Sequence, residues 1–202
     1  LNWLIYSPQE QEIIASGELQ NANQLSELTE KALTRELVVL LPCDQVQLKT
    51  VTLPTKWSRK LEQALPYMLE EDLACDIDDI YIALGEPTMV DEQHAIKIAL
   101  TNRDWFEHWL EVFEQHQLTP YQIVPDALLL PGAEESCVTA IELNKQWLFK
   151  QGDWHISAVE SSWLKEYLVA LGNPDIKHYS PADQFPEALN LYPQTSDYEL
   201  PL

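Results

Sequence analysis

Glycine is scarce in this chain of 202 residues: five occur, at positions 17, 85, 132, 152 and 172, never closer than twenty apart. Loops that cradle phosphates need clustered glycine so that backbone N–H groups can approach the oxygens. Neither a Gly-x-Gly-x-x-Gly turn nor a Walker loop can therefore be drawn. No Gly-x-Ser-x-Gly elbow exists either, which removes the main serine-hydrolase signal. Cysteine is rarer still. Cys43, Cys75 and Cys137 stand more than thirty residues apart, with no zinc-ligand spacing and too few for a disulfide framework, so reduced thiols in a cytosolic setting are expected. Basic charge is short too, with 12 Lys and Arg against 33 Asp and Glu, a formal charge of −21. Nucleic acids and anionic membrane faces are bound through clustered Lys and Arg, so this balance argues against both and fits a basic partner, or simple solubility, better. No apolar run reaches about 18 residues, so nothing reads as a membrane span. The opening Leu-Asn-Trp-Leu-Ile-Tyr-Ser lacks the basic head of a signal peptide. It begins in what reads as a strand, as if cut from a longer chain.

What is present reads as a folded α/β protein, one large domain or two small ones. Apolar residues make up 46%, with seven Trp and eight Tyr. Trp3–Tyr6 and Glu12–Ser16 read as a hairpin around Ser7–Gln11. Leu25, Leu28, Ala32 and Leu33 repeat at helical spacing, and Glu36–Leu41 and Gln45–Leu53 read as strands closed by Pro42 and Pro54. Trp57, Leu61, Leu65, Leu69 and Leu73 then make a helical stripe, with a kink or restart expected at Pro66. Ile80–Leu84 and Ala95–Leu100 are predicted strands around a loop holding Gly85 and Pro87. A helix capped at Thr101 or Asn102 is expected to run to about His116. Tyr121–Val124 is a strand, followed by a helical turn from Pro125-Asp126 through Leu130. Cys137–Leu143, Gln146–Lys150 and His155–Glu160 are three more strands, and Trp163–Leu171 a helix ended by Gly172. From Asn173 five prolines in thirty residues predict an irregular strap. Trp3-Leu4-Ile5-Tyr6 with Ile13-Ile14-Ala15-Ser16 is echoed by Trp147-Leu148-Phe149-Lys150 with Ile156-Ser157-Ala158-Val159, which points to two related halves.

The stretch Leu65–Leu84 concentrates the acid surplus. Between Leu61 and Ile96 there is no Lys or Arg, while ten Asp and Glu fall there. Asp76, Asp78 and Asp79 do not make a calcium loop, because Ile80 and Tyr81 stand where an oxygen ligand and a glycine are needed. The five histidines contain no His-Glu-x-x-His pair, and His108 with Glu111 alone cannot hold a metal. No catalytic residue, metal or cofactor is expected. Any single acid is most often a solvated surface group.

The segment Ala64-Leu-Pro-Tyr-Met-Leu-Glu-Glu71, together with Trp3-Leu-Ile-Tyr-Ser7, Glu12-Ile-Ile-Ala-Ser-Gly-Glu18, Leu40-Leu-Pro42, Leu84-Gly85, Val124-Pro-Asp-Ala-Leu128 and Gln146-Trp-Leu-Phe-Lys-Gln-Gly152, resembles a known family over most of the chain. That family is the cytoplasmic domain of the inner-membrane protein L of the type II secretion pathway. The resemblance implies an α/β, actin-like ATPase (ribonuclease H-like) fold, with two related halves of mixed sheets flanked by helices and a degenerate nucleotide site. The division expected is residues 1–100, with an inserted helix-hairpin unit at about 55–100, then 101–172, then the Pro-rich strap at 173–202. The resemblance also implies a scaffold on the cytoplasmic side of the bacterial inner membrane. Its partners would be the amino-terminal domain of the secretion ATPase, protein E, and the platform proteins M and F. Apart from the resemblance, the exposed edge of a strand such as Ile80–Leu84 could pair with a partner or with a copy of itself, a homodimer. Full-length members continue into one transmembrane helix and a periplasmic domain, and have a strand before the segment at Trp3. On this chain the partner-binding candidates are Tyr67, Met68, Glu70, Glu71, Asp72, Asp76 and Asp79.

Two other readings stand beside it: a working actin-like or sugar-kinase-like ATPase, and a plain acidic interaction domain. Actin-like ATPases hold phosphates with Asp-x-Gly turns in two hairpins. The corresponding turns here read Tyr-Ser-Pro-Gln-Glu-Gln (6–11) and Glu-Leu-Asn-Lys-Gln (142–146), and no Asp-x-Gly occurs in the chain. Calorimetric titration with ATP and magnesium should give no saturable heat. Micromolar binding with turnover would establish the ATPase instead.

Overall fold

The computed structural model describes residues 1–132, 137–143, 145–179 and 191–193. β1 (Asn2–Ser7) and β2 (Glu12–Glu18) form the expected antiparallel hairpin, with a register shift between Ile5 and Tyr6. The spacing of Leu25 to Leu33 resolves into a 3-10 stretch at Ala22–Leu28, capped by the Asn21 side chain, and a single turn, α1 (Thr29–Ala32). β3 (Leu37–Leu41) and β4 (Gln47–Thr52) follow. α2 (Arg59–Leu69) starts at Ser58, whose hydroxyl accepts the Leu61 N–H. It passes through Pro66 without the expected restart and tightens into a 3-10 turn at Glu70–Asp72. Proline forfeits one backbone bond, and the buried Leu65 and Leu69 on either side hold the turn by packing.

β5 (Ile80–Val90) and β6 (Gln93–Asn102) make a longer hairpin than the sequence predicts. The expected loop at Gly85 and Pro87 is a bulge inside β5. The chain reverses instead at Asp91 and Glu92, whose φ values of 48° and 63° suit a two-residue turn. A Cβ on Gly85 would lie 2.9 Å from the Lys97 carbonyl oxygen, so only glycine fits where the bulge presses on β6. Glycine and proline end a strand by local rules, but a bulge on an edge strand accommodates both.

α3 (Arg103–Gln115) is capped by Asn102, whose Oδ1 accepts the Trp105 N–H at 2.9 Å. β7 (Pro120–Pro125) leads into the expected short turn at Asp126–Leu129. β8 (Cys137–Leu143), β9 (Gln146–Gln151), β10 (His155–Glu160) and α4 (Leu164–Ala170) lie where the sequence places them. The stretch after Asn173 differs from the expected strap. β11 (Asp175–His178) and β12 (Leu191–Pro193) join a sheet of order β10-β9-β8-β11-β12, with β11 parallel to both neighbours. A four-residue strand is too short to show a period, and the prolines around it masked it. The rest of that strap lies outside the described residues.

A second difference concerns the partner of α3. β3 pairs in parallel with β7, and Val112 and Phe113 of α3 pack with Leu19, Leu25 and Trp3. Residues 103–125, read from sequence as opening a second half, thus pack on the beginning of the chain. The three-stranded sheet β4-β6-β5 is covered on both faces. α2 covers Ile96, Ile98 and Leu100, while Phe106 of α3 packs on the other side, its ring 4.5 Å from that of Tyr81.

Asp126 fastens two distant strands. Its Oδ1 accepts the N–H of Cys43, just past β3, at 3.0 Å and that of Ala127 at 2.7 Å. Burial pushes the Asp126 carboxyl up, against the opposing effect of these N–H groups. Burial first, and then the adjacent Asp126 charge, raise the Cys43 thiol to about 12. The Lys150 ammonium donates to the carbonyls of Leu128 and Leu130 at 2.8 and 2.7 Å, tying the same turn to β9.

Leu65→Ala should cost about 2–5 kcal/mol in urea unfolding, because it opens a cavity beneath α2. Tyr67→Ala, on the exposed side of the same helix, should cost under about 0.5 kcal/mol. Asp126 holds its proton more tightly folded than unfolded, so its charge subtracts stability as pH rises from the ordinary carboxylate range through the raised folded value. Asp126→Asn keeps an acceptor for both N–H groups without that charge. Its stability relative to the native chain should improve between about pH 4 and about pH 7. A constant difference across that range would refute the assignment.

Candidate functional site

The seven partner-binding candidates fall on the end of α2 and the two short turns that follow. α2 turns Leu65 and Leu69 inward, which leaves Tyr67 and Met68 facing out, at 74% and 39% exposure. Glu70, Glu71 and Asp72 form the 3-10 turn that ends the helix, and all three are exposed. Leu73 and Ile77 then dip into the core under α2, so the acids between and beside them are held outward by an apolar anchor. Asp76 accepts the Asp78 N–H at 3.0 Å and opens a second 3-10 turn, Ile77–Asp79, that delivers the chain into β5. Tyr67, Met68, Glu70, Glu71, Asp72, Asp76 and Asp79 are thus all on the surface of one short, anchored segment.

Sequence reasoning missed a cation here. Lys49 on β4 meets Asp72 at 3.2 Å, across a gap of twenty-three residues that no local pattern reveals. Such a surface pair is worth about 0–1 kcal/mol. Among the described residues no cation pairs with Glu70, Glu71, Asp76 or Asp79. Lys49 also ties the corner to the rest of the molecule, because its carbonyl accepts the Trp154 indole N–H at 3.0 Å. Lys97 lies over the same indole ring, 5.6 Å from its centre.

The corner opens onto β5, which among the described strands pairs with β6 alone and so forms one edge of its sheet. The bulge places Leu84 and Met89 at the surface, 42% and 54% exposed. The signal for this was available in the run Leu84–Val90, but the breaker residues hid the strand.

The two hairpin turns expected to correspond to phosphate loops in actin-like ATPases contain no glycine. Leu143 and Gln146, on either side of the second turn, line a cavity of about 500 Å³ together with Trp105, Asp44 and Asp126. Two carboxylates at its wall repel a polyphosphate. Among the described residues no cluster of His, Cys, Asp or Glu is arranged to hold a metal ion, and no helix is long and apolar enough to cross a membrane.

The family model described as type II secretion system (T2SS), protein L matches residues 1–201. Type II secretion system protein L of Vibrio cholerae serotype O1 is 30% identical over 162 residues, 80% of this chain and 39% of that protein. The protein of the same name from Dickeya chrysanthemi is 30% identical over 196 residues, 96% of this chain and 47% of its own length. The chain therefore spans less than half the length of these curated relatives. Among solved structures, the cytoplasmic domain of EpsL, an inner-membrane component of the type II secretion system of Vibrio cholerae, superposes with a TM-score of 0.79 at 25% identity. That match covers 98% of this chain and 84% of the other. A PilM–PilN type IV pilus biogenesis complex matches with a TM-score of 0.56 at 17% identity over 86% of this chain and 63% of the other, and so shares the fold alone. The chain accordingly belongs to the type II secretion system protein L family, named for a component of the inner-membrane part of that machinery, and has the α/β fold of mixed sheets and helices found in the actin-like ATPase family.

Proposed function

We propose that this domain is a non-catalytic scaffold of the type II secretion platform. It binds the amino-terminal domain of the cytoplasmic secretion ATPase and links that motor to the membrane, where proteins M and F are its further partners. The domain lies on the cytoplasmic side of the inner membrane in this reading, as the cytoplasmic domain of the Vibrio relative does by name. Part of the proposal is a division into two actin-like halves, with the boundary after residue 125 rather than near residue 100, because residues 103–125 pack on the beginning of the chain. A unit inserted at about 55–100 carries the acidic corner.

The single observation that supports it most is the corner itself. Glu70, Glu71, Asp76 and Asp79 are exposed, unpaired by any cation among the described residues, and held outward by the buried Leu69 and the half-buried Leu73 and Ile77. A fixed array of unpaired carboxylates gains little for folding and suits an incoming basic surface, for which it sets orientation and on-rate. Tyr67, Met68 and Asp72 stand beside it, and the two apolar side chains supply the contact that charge alone does not. The glycine-free hairpin turns and the carboxylates lining the cavity beside the second one support the absence of ATP chemistry.

Reversing Glu70 and Glu71 to Lys together should weaken binding of the motor's amino-terminal domain by about tenfold or more, with the loss mainly in on-rate and largest at low salt. Both side chains are exposed, so the thermal transition should be unchanged. Native affinity in the folded double variant would remove this corner from the interface.

A further inference from the structure

We propose that the outer edge of β5, from Leu84 to Val90, takes up an extended, Lys- or Arg-bearing segment of the secretion ATPase as an added strand. This inference rests on the proposed binding of that ATPase and specifies how it is done.

The edge is open only in part. At the Ile80 end the Arg103 guanidinium already donates to the carbonyls of Asp78 and Ile80, at 2.8 and 2.7 Å, so that end is closed by the protein's own side chain. Beyond it every residue from Ala83 to Val90 is exposed, although the strand continues to Val90. An edge of this kind presents unpaired main-chain N–H and C=O groups, which are what an added strand binds.

The bulge gives the edge an apolar side. Residues directly opposite across an antiparallel pair share a face. Leu84 lies opposite Ile98, Pro87 opposite Ile96 and Met89 opposite His94. Ile96 and Ile98 are fully buried under α2, and His94 follows them at the spacing of two that keeps one face. Without the extra residue, strict alternation from Leu84 would bring Glu86 and Thr88 to that face. With it, Leu84, Pro87 and Met89 line up there, continuing the face that α2 covers. The exposed Leu84 and Met89 are thus side-chain anchors beside an open backbone edge.

Charge chooses the occupant. Glu86, Asp91 and Glu92 border the edge, no Lys or Arg lies on β5, and the chain carries −21 overall. A second copy would bring like charge against like, and Pro87 and the bulge further limit self-pairing. A segment bearing Lys or Arg meets no such penalty and gains from the same carboxylates.

Hydrogen exchange of the chain, alone and saturated with the full-length secretion ATPase, tests this. Amides within 84–90 should exchange about tenfold or more slowly in the complex. Leu84→Lys with Met89→Lys should weaken binding by about tenfold while leaving the thermal transition in place. Unchanged exchange at 84–90 in a saturated complex overturns the inference, and if protection appears at 70–79 alone the acidic corner survives without it. Protection at 84–90 that rises with concentration of the chain alone identifies a second copy as the occupant and also overturns it. No binding by the native chain overturns both this inference and the proposed function.

Discussion

Strand β6 is the constraint on which the middle of this molecule depends. It pairs with β4 on one side and β5 on the other, and buries Ile96, Ile98 and Leu100 against α2. Its other face, with Ala99, lies toward α3, which starts directly after its last residue, Asn102. Because β6 is filled on both faces and both edges, its neighbours have no freedom to slide. A register slip of one residue would turn its isoleucines outward. The acidic corner is anchored for that reason, since Leu69, Leu73, Ile77 and Ile80 all close on the same cluster.

A second constraint joins parts of the chain that are far apart in sequence. β3 and β7 run in parallel, and the Asp126 carboxyl clasps the backbone just beyond β3. Trp154, on the turn between β9 and β10, reaches the β4 backbone with its indole N–H. The Trp154 contact joins the five-stranded sheet to the sheet that carries the corner. Lys49, which meets Asp72 through its ammonium, also holds the Trp154 indole through its carbonyl. The corner is thereby joined to the rest of the domain, as the proposed link between a motor and a membrane requires.

The strongly periodic parts of the fold were legible in the sequence. The stripe from Trp57 to Leu73, the capped helix after Asn102, the opening hairpin and the three strands between Cys137 and Glu160 all follow from residue spacing and capping chemistry. The candidate acids were legible as well, because a charge run without cations needs no structure to be noticed. What escaped was every feature set by pairing at a distance. Lys49 reaches Asp72 from another strand, β11 is held by its neighbours, and β5 continues through Gly85 and Pro87 because β6 supports it.

The sequence by itself determined the chemistry on offer. Five scattered glycines and no Asp-x-Gly argue against a glycine-built phosphate loop, and an excess of carboxylates suits a basic partner or simple solubility. These properties need only composition and spacing. Tertiary structure alone decided which of those residues stand together and which backbone is left open, because hydrogen-bond pairing and burial depend on neighbours the local chain does not contain. It put Tyr67 outside while Leu65 went in, gave Asp72 a cation, and turned an apparent loop into an edge strand with Leu84 and Met89 on one face.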